Sequence, residues 1–173
     1  MTDTPIIEEN QNKSTKRPVF LLVLIILSGI NIGSTTLASL GGIFGIKPDQ
    51  ETIKDTKLEF ARMREQLQEA DAQDYLYLVD QMEQVTLNMF DNFQAYNSVQ
   101  FIFLMLGLLG ILLMYRAKKL GFHLYILYSL GLVMLPYFFN PMSRIPSILT
   151  IFGVIYGGVW VLMYSRNLHW LQD

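Results

Sequence analysis

The chain has 173 residues, of which 51% are hydrophobic and 16% charged, and it contains no cysteine. The lack of cysteine excludes disulfides and thiolate metal sites. The net charge of −2 conceals a strong segregation, because all 13 basic and 15 acidic residues lie outside four long uncharged segments.

The uncharged segments 19–46, 92–115, 120–143 and 145–165 contain 28, 24, 24 and 21 residues. A helix needs about 20 apolar residues to cross the hydrocarbon core of a bilayer. We therefore predict an all-α, four-transmembrane-helix integral membrane protein that contacts membrane lipid. The predicted parts are a disordered tail at 1–17, transmembrane helices at 18–46, 98–115, 120–139 and 145–165, a helical hairpin at 47–97 and a tail at 166–173.

The distribution of basic residues predicts the orientation. Basic residues precede the first span and make up three of the four positions in the loop 116–119. The segment 47–97 instead holds 11 acidic and five basic residues. Short cytoplasmic loops are enriched in Lys and Arg. This places both termini in the cytoplasm and 47–97 outside it. A cleaved signal peptide ending at Ala38 is the alternative for the first span, but its apolar run exceeds the usual length of about 7–15 residues.

The first span is the most polar. Ser28, Asn31, Thr35 and Ser39 share one helix face by their 3-4-4 spacing, and an unpaired Asn31 amide in lipid would be costly. We expect Asn31 to bond another helix, through Ser129 or a symmetry mate. Small residues let helices approach closely in lipid. The predicted helix-contact residues are therefore Ser28, Gly29, Asn31, Gly33, Thr35, Ser39, Gly153 and Gly157.

The acidic segment repeats apolar residues at coiled-coil spacing after Asp49, a predicted helix cap. A reversal near 70–74 would return the chain to the membrane as an antiparallel hairpin, and the second arm continues into the second span as one helix over 75–115. Pro136 should kink the third span. The predicted seam consists of Ile53, Phe60, Met63, Leu67, Leu78, Met82, Val85 and Met89.

Few residues offer chemistry. After Asp91 the next carboxylate is Asp173, which argues against proton coupling through the spans. His123 lies near the basic loop and Tyr164 near the end of the last span, positions typical of the headgroup boundary. No nucleophile–base pair, metal-ligand spacing or nucleotide motif is present. We expect no enzymatic activity, catalytic residue, cofactor, metal or nucleic-acid partner.

Two segments show a resemblance. The opening KRPVFLLVL at 16–24 and the loop MYRAKKLGFHLY at 114–125 resemble small uncharacterised four-helix inner-membrane proteins of Gram-negative bacteria. The resemblance implies an inner-membrane location and no particular activity.

The functional expectation is a non-catalytic subunit or accessory factor of a membrane complex. The outer hairpin and the small-residue helix faces would contact protein partners or further copies in a homo-oligomer. The alternative is a small oligomeric channel or transporter that uses the polar face of the first span.

Overall fold

The computed structural model describes residues 18–45 and 47–172, so the predicted tail at 1–17 lies outside the described residues. Every regular element in the described part is helical. The helices are α1 Val19–Ile43, α2 Gln50–Glu69, α3 Leu76–Asp91, α4 Phe93–Tyr115, α5 Leu120–Met134 and α6 Ser147–Ser165. The segments Val19–Ile43, Phe93–Tyr115, Leu120–Phe138 and Ser147–Ser165 are long and apolar enough to cross a membrane. The all-α class and the four candidate spans are confirmed.

Local chemistry accounts for the helix ends. Pro18 precedes α1, where its missing N–H costs nothing. Gly45 takes φ 97° just after α1, a conformation suited to glycine. The carboxylate of Asp49 accepts from the Thr52 backbone N–H at 2.7 Å, so the predicted cap is confirmed. Bonds from the Thr52 side chain and backbone lower the pKa of Asp49. The cap is thus complete above the ordinary carboxyl pKa and is lost as the pH falls through the lowered value.

The third span changes form at Pro136. α5 ends at Met134 and continues as a 3₁₀ turn over Leu135–Phe138. Proline has no N–H for the α-helical ladder, which explains the change of helix type. The Tyr137 hydroxyl meets the Thr150 hydroxyl at 2.5 Å and ties this turn to α6.

The helices α1, α4 and α5 pack at glycine contacts. A Cβ added to Gly110 would lie 2.9 Å from the carbonyl oxygen of Gly121, so the backbones of α4 and α5 touch there. A Cβ on Gly42 of α1 would lie 2.5 Å from Nδ2 of Asn97 on α4. Small residues permit this close approach in lipid, where hydrophobic burial does not drive association.

α6 packs against α5 and is much less enclosed. Tyr164, with no exposed surface, is its one fully buried residue. Large apolar side chains along the rest of α6, such as Phe152 and Leu162, remain exposed. Exposed apolar side chains of this kind suit a lipid environment.

The chain reverses between α2 and α3. Asp71 takes φ 54° in this turn. Arg64 on α2 donates to Asp80 at 2.8 Å and also to Glu83, both on α3. The bonds to Glu83 and then Asp80 raise the pKa of the Arg64 guanidinium.

α3 also binds the loop between α5 and α6. Asn88 donates to the Phe139 carbonyl at 2.6 Å and to Oδ1 of Asn140 at 2.8 Å. Gln81, two turns earlier, donates to the Ser143 carbonyl at 3.3 Å. α3 therefore lies along this loop as well as beside α2.

The predicted continuous helix over 75–115 is wrong. Asn92, with φ −102° and ψ 24°, separates α3 from α4. Its amide donates to the carbonyl and the side-chain oxygen of Asn88 at 3.0 and 2.8 Å. The backbone bonds from the Asn92 N–H to the Asn88 carbonyl at 3.0 Å and from the Tyr96 N–H to the Asn92 carbonyl at 2.8 Å are kept, so the interruption is one residue with turn dihedrals.

Candidate functional site

The polar residues of α1 do not all point the same way. Ser28 is buried, accepting from the Tyr164 hydroxyl at 3.0 Å and lying 3.3 Å from the Tyr125 hydroxyl. Ser39 is also buried and donates to Oε1 of Gln100 on α4 at 3.1 Å. These two serines hold α1 to its own bundle.

Asn31 has a different environment. It is the central residue of α1, about 18 Å along the axis from either end, and its side chain is exposed. Its backbone carbonyl accepts from the hydroxyls of Ser34 and Thr35, both at 2.9 Å. Its side-chain amide has no hydrogen bond to any residue from 18–45 or 47–172. The bond to Ser129 that the sequence suggested is not formed.

The residues beside Asn31 are small or apolar. Leu27, Ser34 and Ala38 lie within about two helical turns on the same side, and all three are exposed. This surface, called here the Asn31 edge, is defined by Leu27, Asn31, Ser34 and Ala38. It offers an unpaired amide between short side chains.

The two GxxxG pairs differ in their surroundings. A Cβ added to Gly29 or Gly33 would meet no atom within 4 Å, so this pair contacts no other helix of the described chain. A Cβ on Gly153 would lie 3.3 Å from Val133, and one on Gly157 would lie 3.5 Å from Ser129. The second pair therefore lies at the α5–α6 interface, beside a cleft of about 190 Å³.

A cluster of hydroxyls between α1, α5 and α6 was not predicted from the sequence. The rings of Tyr125 and Tyr164 have centroids 4.7 Å apart, and those of Tyr125 and Tyr128 are 5.4 Å apart. Ser28 is bonded to both Tyr125 and Tyr164, so three helices meet at one hydroxyl. Tyr164, expected at the headgroup boundary, is fully buried between the helices and presents no ring to the surface. A signal for this burial is present in the sequence. Tyr164 comes seven residues after Gly157, on the side of α6 that faces α5.

The predicted seam residues lie mostly at intermediate exposure. Phe60 is buried, Met63 is 43% exposed, and Val79, which the heptad pattern omits, is the buried residue of α3. α3 has neighbours on two sides, α2 and the α5–α6 loop, so its buried surface is wider than a single seam. The half-buried predicted residues are Ile53, Leu67, Leu78, Met82, Val85 and Met89.

The described residues contain no group of three or more His, Asp or Glu side chains placed to hold a metal ion. The arrangement of α1 therefore offers contacts rather than a reacting group: an open amide on one side, and buried hydroxyls on the other.

Comparison of the chain with models of protein families, with curated proteins and with solved structures finds no match.

Proposed function

We propose that this chain is a non-catalytic integral subunit of a membrane protein complex, joined to a neighbouring chain through the Asn31 edge. The observation that supports this most is the unpaired, exposed Asn31 amide at the middle of an uncharged helix long enough to cross a membrane. The resemblance to Gram-negative inner-membrane proteins supports an inner-membrane location.

The energetic argument concerns an amide without a partner. Moving such a group from water into hydrocarbon without a hydrogen bond costs about 4–8 kcal/mol. A chain that stayed alone would leave the Asn31 amide in that state, since nothing in the described chain satisfies it. A second helix that presents a polar group at the same depth removes this penalty.

A second copy of the chain is the simplest such neighbour. An asparagine amide carries both donors and acceptors, so two Asn31 side chains related by a twofold axis can bond each other. Ser34 and Ala38 are short enough for the helices to approach. The open Gly29–Gly33 pair lies on another side of α1 and takes no part in this contact.

Replacing Asn31 by Leu tests this contact. The Asn31→Leu chain should dimerise about five- to thirtyfold more weakly, because hydrogen bonds between membrane helices contribute about 1–2 kcal/mol. Energy transfer between labelled copies, measured across a range of protein-to-lipid ratios in vesicles, gives the association constant.

The matched control is Leu37→Ala. Leu37 is 71% exposed on a different side of α1, so its loss should leave association unchanged. If Asn31→Leu associates like the wild type, the Asn31 edge is not the contact. A chain that purifies alone from native membranes, without self-association, would count against the subunit role itself.

The channel alternative has less support. A polar path needs the serines and Asn31 on one accessible face. Ser28 and Ser39 are instead bonded inside the bundle. We therefore favour the subunit.

The second part of the proposal is that α2 and α3 form an extracytoplasmic antiparallel hairpin that docks a partner. The support is the Arg64 link between the two helices and the strong excess of acidic residues in this segment. Phe60 is the buried residue of α2, which leaves most of that helix open to another protein.

Labelling with an impermeant thiol reagent tests the orientation. The chain has no cysteine, so Ala72→Cys in the turn provides a unique label. We expect it to react in intact cells, whereas Lys118→Cys in the basic loop should react only after the cells are opened. The reverse pattern would overturn the assigned orientation.

A further inference from the structure

A shallow, open crevice lies where α3 meets the loop between α5 and α6. Its volume is about 400 Å³ and its walls are Gln84, Leu87, Asn88, Asp91 and Arg144. The four α3 residues follow helical spacing and so share one face of that helix. Arg144 comes from the opposite wall, on a 3₁₀ turn over Met142–Arg144.

The two charged residues of the crevice, Arg144 and Asp91, have opposite sign and form no ion pair within the described part of the chain. Arg144 and Asp91 are both exposed, and neither has an ion-pair partner within 4 Å among the described residues. Arg64 shows the contrast, since both of its neighbouring carboxylates bind it. The crevice thus presents a guanidinium on one side and a carboxylate on the other.

Asn88 fixes the distance between the walls. Its amide bonds to Phe139 and Asn140 attach α3 to the loop that continues to Arg144. Asn88 is therefore a positioning residue, with its donors already used. Gln84 has no hydrogen bond among the described residues and remains available to a ligand.

The crevice lies at the ends of spanning helices. Asp91 is the last residue of α3, and α4 begins at Phe93. Arg144 is three residues before Ser147, the first residue of α6. The Tyr96 and Phe139 rings, with centroids 5.5 Å apart, lie on the adjoining elements, and such aromatic residues favour the headgroup level.

We infer that this crevice binds the phosphoethanolamine headgroup of a phospholipid. The Arg144 guanidinium would donate two parallel hydrogen bonds to the phosphate, the geometry for which arginine is suited. The Asp91 carboxylate accepts from the primary ammonium. A choline headgroup has no N–H to donate, so Asp91 distinguishes the two zwitterionic lipids. The acyl chains extend into the bilayer along α4 and α6.

Native mass spectrometry of the delipidated full chain in detergent tests the site, with dioleoyl phosphatidylethanolamine, phosphatidylcholine and phosphatidylglycerol as probes. The wild type should retain the ethanolamine lipid about tenfold more strongly than the choline lipid. Arg144→Gln should reduce ethanolamine-lipid retention about tenfold, because a hydrogen bond to a charged group is worth at least that factor. Asp91→Asn should abolish the preference over choline.

The matched control is Arg62→Gln, which removes an exposed, unpaired arginine from α2. It should retain lipid like the wild type. Arg144→Lys keeps the positive charge but lacks the paired N–H donors of the guanidinium. Its retention of the ethanolamine lipid should lie between that of the wild type and that of Arg144→Gln. Because the Arg144 side chain is exposed, Arg144→Gln should melt at the wild-type temperature.

Three results would overturn the inference. The first is equal retention of the ethanolamine lipid by wild type and Arg144→Gln. The second is equal retention of choline and ethanolamine lipids by the wild type. The third is binding of soluble phosphoethanolamine as tight as that of the lipid, which would make the crevice a site for a water-soluble ligand.

Discussion

The contact between α4 and α5 differs from the contact between α5 and α6. At the first, the Gly110 and Gly121 backbones touch, and a Cβ added to either residue would lie against backbone atoms of the other helix. At the second, Gly153 and Gly157 meet only side chains, at ordinary or slightly tight distances, beside an open cleft. The same residue type therefore serves two purposes in one bundle.

This difference indicates which helices are held in position by close packing of their surfaces. Lipid tails are as apolar as leucine, so helices in a bilayer associate through close fit and hydrogen bonds. α1, α4 and α5 have that fit. α6 is positioned by Tyr164, by the Tyr137–Thr150 bond and by looser packing of its glycines on α5, and much of the rest of its surface is exposed.

The largest effect that would sharpen this comparison is expected for Gly121→Ala. The added Cβ would lie 2.5 Å from the backbone nitrogen of Met114, and it would also overlap the Gly110 carbonyl oxygen. Backbone atoms in a helix cannot move aside as a side-chain end can, so we expect a loss of about 3 kcal/mol in unfolding free energy. Unfolding in mixed detergent micelles, followed by tryptophan fluorescence, measures it.

Gly158→Ala is the matched control on α6. A Cβ at Gly158 would meet no atom within 4 Å, so the change should be neutral or stabilising by up to about 1 kcal/mol. If Gly121→Ala and Gly158→Ala lowered the unfolding free energy equally, the proposed difference between the two glycine environments would be wrong.

A smaller effect is expected for Tyr164→Phe. The substitution removes the hydroxyl that donates to Ser28 while keeping the buried ring. We expect a loss of about 1 kcal/mol in unfolding free energy, the usual net value of one hydrogen bond. Tyr156→Phe, at a residue that is 61% exposed, should change nothing by the same measurement. A Tyr164→Phe protein as stable as wild type would mean that this bond does not hold α6.

The spans were predictable from the sequence because their signal is physical and local. Uncharged runs of at least 21 residues leave few alternatives to membrane helices. The Asp49 cap was predictable for the same reason, since its bond to Thr52 lies within one turn.

The helix partners were not predictable. Spacing reveals which residues share a face of one helix, but not which neighbour that face meets. Gly29 and Gly33 have the familiar spacing yet contact no helix here, whereas Gly121, which belongs to no GxxxG pair, is tightly packed. Ser28 and Asn31 appeared to share a face, although only Ser28 points inward.

The break at Asn92 was missed for a related reason. Helix propensity predicts continuation, and no glycine or proline interrupts the sequence there. The bonds of Asn88 to Phe139 and Asn140 depend on a loop about 50 residues further along the chain. Such long-range contacts override local preference.

The interruption at Asn92 also has a mechanical meaning. An unbroken helix behaves as one rod, whereas a single non-helical residue makes a joint between two rods. Asn88 fastens the end of α3 next to this joint to the α5–α6 loop, so α3 is held to that loop independently of α4.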